Sequence, residues 1–202
     1  MKREEAERAL EIVRTVIRQT RDDLVERNWG AIWMVHAFTN GVAIASIGPA
    51  VEARGLPLPW YFAPLAAVAV VNALVIRLLG RRDQGVRSYL EYQLHGVWIT
   101  FIVFSLGAGA VLWLAGAPAT LFCPIFALLS GVGFALMGVI FHVRFVAYAV
   151  LFLAVAVSAR WVGSWQWGLL GAVWWAASFV PGAYMHRELV RRRSGPAPTR
   201  IL

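Results

Sequence analysis

The chain has 202 residues, of which 59% are hydrophobic, with a mean hydropathy of +0.64 and a formal net charge of +8. That apolar content supplies about six runs of ~20 residues, the length a helix needs to cross a hydrocarbon layer about 30 Å thick, and leaves no room for a separate soluble catalytic domain. One cysteine, Cys123, excludes an internal disulfide or a thiolate cluster and, lying in an apolar run, reads as a small core residue.

The first 28 residues differ from everything that follows. Up to Arg27 they hold seven Lys/Arg and seven Asp/Glu, which cancel. Ala6, Leu10, Val13, Ile17, Thr20 and Leu24 recur at alternating spacings of four and three, the seam of a heptad. Two readings follow: a cytoplasmic amphipathic helix that pairs with a second copy or another protein through Leu10, Val13, Ile17 and Leu24, or one that lies on lipid headgroups, widened by Ile12 and Val16. The near-zero charge favours pairing. So long and charged a start is not that of a cleavable signal peptide.

From Trp29 onward the chain reads as all-α, a polytopic bundle of six transmembrane helices over 29–187, with spans near 29–49, 58–79, 93–116, 119–141, 143–161 and 165–185. Pro49, Gly55, Pro57 and Pro59 separate the first two, and an arginine-rich loop from Arg77 to Arg87 follows the second. Gly116 and Pro118 turn the third into the fourth. Only His142, Val143 and Arg144 join the fourth and fifth, but the apolar stretch is far too long for one crossing, so a tight turn is expected there. Trp161 to Gln166 make the last turn, and residues 188–202 form a basic tail expected to be disordered and near anionic lipid.

If the N-terminus is inside, seventeen of the nineteen Lys/Arg fall on the cytoplasmic side, with only Arg54 and Arg160 outside. Positive loops resist translocation, so both termini are expected in the cytoplasm, with membrane lipid as the partner of the basic loops rather than nucleic acid. Trp60, Trp113, Trp161, Trp165 and Trp167 would then form an outer aromatic belt, and Trp29, Trp98, Tyr89, Tyr92 and Tyr184 an inner one.

Polar side chains inside lipid are costly and are the first candidates for function. His36 and Asn40 lie four apart on one face of the first span, and Asn72 sits in the inner half of the second. These three either form a polar pocket for a ligand, ion or proton or simply hydrogen-bond the helices together. The four histidines all map to the inner half, a layer that invites a metal or haem reading, but no pair has a helical ligand spacing and no carboxylate joins them in the bilayer. No metal and no cofactor is therefore expected. No Asp or Glu falls at the centre of any span, which disfavours proton- or cation-coupled transport. No nucleophile–His–acid trio, His-Glu-x-x-His or phosphate loop occurs, so an enzyme is not expected either. Small residues at four-residue spacing, Ala127, Gly131 and Ala135 and again Gly168, Ala172 and Ala176, are expected to let helices approach closely within the bundle.

The opening Glu4-Glu5-Ala6-Glu7-Arg8-Ala9-Leu10, continuing through Ile17-Arg18-Gln19-Thr20-Arg21 into Trp29-Gly30-Ala31-Ile32-Trp33, resembles a group of small bacterial membrane proteins in which a charged N-terminal helix precedes Gly- and Trp-rich spans. The resemblance covers about the first 50 residues and the span plan. It implies a bacterial inner-membrane location and, because such proteins are often encoded near PadR-type regulators, a regulatory or stress-related setting; it supplies no catalytic residue, substrate or cofactor. Two functions from different classes are expected: a non-enzymatic protein acting by association with itself or a partner, or a small transporter or channel bordered by His36, Asn40 and Asn72.

Overall fold

The structure, a computed structural model, describes residues 25–54, 59–80 and 89–194, together with Glu5, Glu7, Arg8, Leu10, Glu11, Ile12, Thr15 and Asp22. Six long α-helices account for almost all of them: α1 (Trp29–Ala53), α2 (Pro59–Leu79), α3 (Tyr89–Leu114), α4 (Phe122–Ile140), α5 (Arg144–Val162) and α6 (Gln166–Ser194). Among the described residues there is no strand. Four segments are long and apolar enough to cross a membrane: Trp29–Ala50, Glu91–Leu114, Phe122–Ile140 and Arg144–Ser194, the last containing both α5 and α6; Ala66–Leu79 is a shorter apolar helix. The bundle is apolar on its outside as well as its inside, with Val70, Leu78, Phe104, Val139 and Val157 all exposed. Such an outer surface suits hydrocarbon rather than water.

The turns have local causes. Asn28 takes a left-handed conformation, φ 66°, which Asn tolerates better than most residues, and so separates the N-terminal stretch from α1. Gly116 at φ 65° ends α3 with its N–H bonded to Trp113 O and that of Ala117 to Leu112 O, the paired bonds that satisfy the last carbonyls of a helix. Between α4 and α5 the expected tight turn is present, closed by the Arg144 N–H donating to His142 Nδ1 at 3.1 Å. Gly163, φ 54°, leads a single 3₁₀ turn, Gly163–Trp165, between α5 and α6.

Several boundaries differ from the reading of the sequence. Pro49 lies inside α1 rather than in a loop, because the helix runs on to Ala53. At the other end α6 continues to Ser194, past the boundary at 187 where a disordered tail is expected. Arg191 and Arg192 pair back with Glu188 one turn earlier, and Arg192 also bonds Asp22 at 2.6 Å. Residues 195–202 lie outside the described residues.

The helices form a ring in the order α2, α1, α6, α5, α4, α3, each packed on the next, with α4 also touching α6 across the middle. α2 and α3, consecutive in sequence, make no extensive contact with each other. The tightest pair is α1 with α6. A Cβ added to Gly41 would lie 2.9 Å from Trp175 Cβ, one on Gly171 would lie 2.6 Å from Gly41 O, and Gly48 is covered by the Trp167 ring. Glycine is required there because backbones in lipid gain by close van der Waals approach rather than by hydrophobic expulsion. The stripe expected on α6 is therefore displaced: Gly168 faces open space and Ala172 is exposed, while Gly171 and Gly182 make the contact. On α4 the expectation for Ala127 and Gly131 agrees with the packing, Ala127 being buried and Gly131 closing against Ala149 and Phe152 of α5.

An aromatic core fills the ring. The Trp174 ring lies 5.5–6.0 Å, centroid to centroid, from those of Trp98, Phe101, Phe126, Phe134 and Phe152. Cys123 belongs to this core, as expected. Of the residues assigned to aromatic belts, Trp60, Trp113, Trp161 and Trp165 are exposed at one end and Tyr92 and Tyr184 at the other. Trp29, Trp98 and Trp167 are not belt residues: they pack inside, Trp167 over Gly48 and Trp29 edge-on to His95.

Candidate functional site

His36, Thr39 and Asn40 occupy positions i, i+3 and i+4 of α1 and therefore one face, which turns toward Asn72 of α2. The Asn72 side chain bridges two of them: its Nδ2 donates to Asn40 Oδ1 at 2.9 Å and its Oδ1 accepts from Thr39 Oγ1 at 2.7 Å. His36 Nε2–H donates to the Asn72 backbone carbonyl at 3.3 Å, which assigns the proton to that nitrogen. The structure thus brings His36, Asn40 and Asn72 together and adds Thr39, a third side chain on the same face of α1. The 36/39/40 spacing was the signal that would have found it.

This cluster borders a cavity of about 570 Å³ enclosed by α1, α2, α3 and α6, with Phe126 of α4 at its wall. Trp98, Phe101 and Trp174 supply aromatic walls opposite the polar cluster. Two of the lining side chains are buried polar groups with no hydrogen-bond partner: Ser105 Oγ on α3 and Trp174 Nε1 on α6. Both of those atoms have essentially no accessible surface, so the polar groups of α1 and α2 left to meet a bound molecule are the His36 ring and the Asn40 and Asn72 amides. No Asp, Glu, Lys or Arg is among the described lining residues. Toward the end that carries Trp29, the cavity is bordered by Trp29, Trp33, Ile76 and Leu94, which belong to or pack on a buried cluster with Ile32, Val97 and Met137.

The histidines do not form one layer. His36 and His95 border this cavity, His95 Nδ1–H donating to Glu91 O at 2.7 Å; His142 caps the α4–α5 turn, and His186 lies against Gly30. Among the described residues no group of three or more His, Cys, Asp or Glu could hold a metal ion.

A second cavity, about 630 Å³, opens at the end where α1 begins and α6 finishes, and Arg144, Arg191, Arg192, Asp22 and Glu188 border it. The charges tie the N-terminal stretch to the bundle: Arg27 pairs with Glu91 of α3 at 2.9 Å with both side chains 11% exposed, and Asp22 pairs with Arg192. The Asp22 and then the Glu188 hydrogen bonds raise the Arg192 pKa above its ordinary value. Of the heptad seam, Leu10 is described, helical and exposed, as is its neighbour Ile12; Val13, Ile17 and Leu24 lie outside the described residues.

Compared with known proteins, the chain matches no family model, no curated protein and no solved structure.

Proposed function

We propose that this chain is a six-span bacterial inner-membrane protein, both termini cytoplasmic, that holds a small molecule within the bilayer in the cavity between α1, α2, α3 and α6. The observation that carries this reading is an aromatic-walled cavity bordered on one side by the polar side chains of His36, Asn40 and Asn72. A cavity of a few hundred cubic ångströms, mostly apolar with a few placed polar groups, is the usual form of a small-molecule site. Six crossings are supported by the six helices of 19 to 29 residues and by the sequence, in which six alternating crossings assign seventeen of nineteen Lys/Arg to segments of one side.

A second reading, association through a cytoplasmic amphipathic helix, is supported by the exposed Leu10 and Ile12, which the bundle leaves uncovered. Native mass spectrometry of protein extracted gently from its own membranes separates the two. A stoichiometric small adduct, lost when His36→Ala, Asn40→Ala and Asn72→Leu are combined, is the expected result. A bare dimer that dissociates in the Leu10→Asp/Ile17→Asp variant would instead move the assignment to association, and a bare monomer would count against both.

A further inference from the structure

The chemistry of the cavity defines what it accepts, and we infer that its ligand is an uncharged, ring-bearing, lipid-soluble molecule with a hydrogen-bond-accepting oxygen, admitted sideways from the bilayer between α2 and α3. This rests on the small-molecule reading of the cavity and narrows it to one chemical class.

Four observations converge on that class. With no Asp, Glu, Lys or Arg among the described lining residues, and His36 and His95 the only titratable ones, a charged ligand would be buried without a fixed counter-ion, at high cost. Asn40 borders the cavity, and its side-chain oxygen already accepts from Asn72, which leaves its amide N–H groups, and these can only donate. The complement to that donor is an acceptor such as a carbonyl oxygen. Trp98, Phe101 and Trp174 offer flat faces that suit a ring in offset or edge contact. Finally, among the described residues α2 and α3 make no extensive contact, and the seam between them is where the ring of helices is least closed. Ala66, Ala69 and Ala73 recur on the α2 side of this seam and Ile99 and Ile102 on the α3 side; all five border the cavity and all are exposed. Small residues on one lip leave a passage, and apolar residues on the other make it continuous with hydrocarbon rather than water.

The test uses the full chain in phosphatidylcholine liposomes with a neutral alkylbenzophenone, an uncharged diaryl ketone that inserts into nearby C–H bonds on illumination, and mapping of labelled peptides by mass spectrometry. Label is expected on the cavity-facing parts of α2 and α3. The ketone's own non-photolysed excess should compete, the corresponding alkyldiphenylmethane, which lacks only the oxygen, about tenfold less well, and 4-benzoylbenzoate, which adds a charge, not at all over the same range. Asn40→Ala should lower cavity labelling about fivefold. Ala69→Trp, which fills the seam without removing that donor, should lower it about tenfold with no change in thermal midpoint. If Asn40→Ala does not fold, the competitor series decides. Cavity labelling that the carbonyl-free or charged competitor suppresses as well as the ketone does would overturn the inferred ligand class while leaving a small-molecule site in place. Label found only on the outward faces of the helices, unchanged in every variant, would overturn both.

Discussion

At the scale of single residues, Asn72 is the side chain with the most dependants. It joins α1 to α2 by accepting from Thr39 and donating to Asn40. Asn72→Leu removes both bonds, but unequally: Thr39 Oγ1 has the carbonyls of Val35 and His36 within 3.2 Å as alternatives, whereas Asn40 Oδ1 loses its donor. His36 is held by the backbone carbonyl of residue 72 and keeps its bond whatever side chain stands there. The expected cost is about 1 kcal/mol, since interhelical hydrogen bonds in membranes are worth roughly 0.5–2 kcal/mol, read as a lower midpoint of unfolding in mixed detergent–SDS micelles. A variant as stable as the wild type would mean that α2 is held by apolar contact alone. The participation of His36, Asn40 and Asn72 was legible in the sequence because buried polar residues in apolar runs are rare. Ser105 and Trp174 were not legible, because hydroxyls and indoles are common in such runs, and only tertiary contacts reveal which of them lacks a partner.

At the scale of elements, the α1–α6 interface gives a sharper test than any polar residue. A methyl group added at Gly171 meets Gly41 O at 2.6 Å and Ala45 Cβ at 2.9 Å, contacts that backbone cannot relieve by rotamer change, while one added at Gly168 meets nothing within 4 Å. Gly171→Ala is expected to destabilise the bundle by about 1–3 kcal/mol, the usual range for overpacking, and Gly168→Ala to leave it within about 0.5 kcal/mol; thermal unfolding followed by circular dichroism in one detergent compares them. Equal effects would show that α1 and α6 do not approach as described. The sequence reading takes the regular stripe 168/172/176. Finding Gly171 and Gly182 at the contact instead requires the rotation of α6 about its axis, which depends on what the neighbouring helices present. The same rotation turns Trp167 inward over Gly48, where its position near a helix end suggested a belt residue.

At the scale of the whole molecule, the proposed orientation has a direct test. In a Cys123→Ala background, a membrane-impermeant maleimide applied to intact cells is expected to modify Gly55→Cys and to leave Gln84→Cys and Gly195→Cys unmodified until the membrane is permeabilised. The reverse pattern would invert the orientation, and labelling at both 55 and 84 from outside would remove the second crossing.

Helical class, helix number and most helix ends were determined by the sequence alone, because a run of apolar residues in hydrocarbon must satisfy its own backbone and so must be helical, and because Gly116, His142 and Gly163 end helices by local geometry. The ring order, the seam between α2 and α3, and the cavity behind it were decided only by the tertiary structure. Each helix is apolar all round, so no hydrophobic face points to its neighbour; the arrangement follows instead from shape, from where two glycines oppose each other and where a large ring finds room, and that is a property of pairs of helices rather than of any one segment.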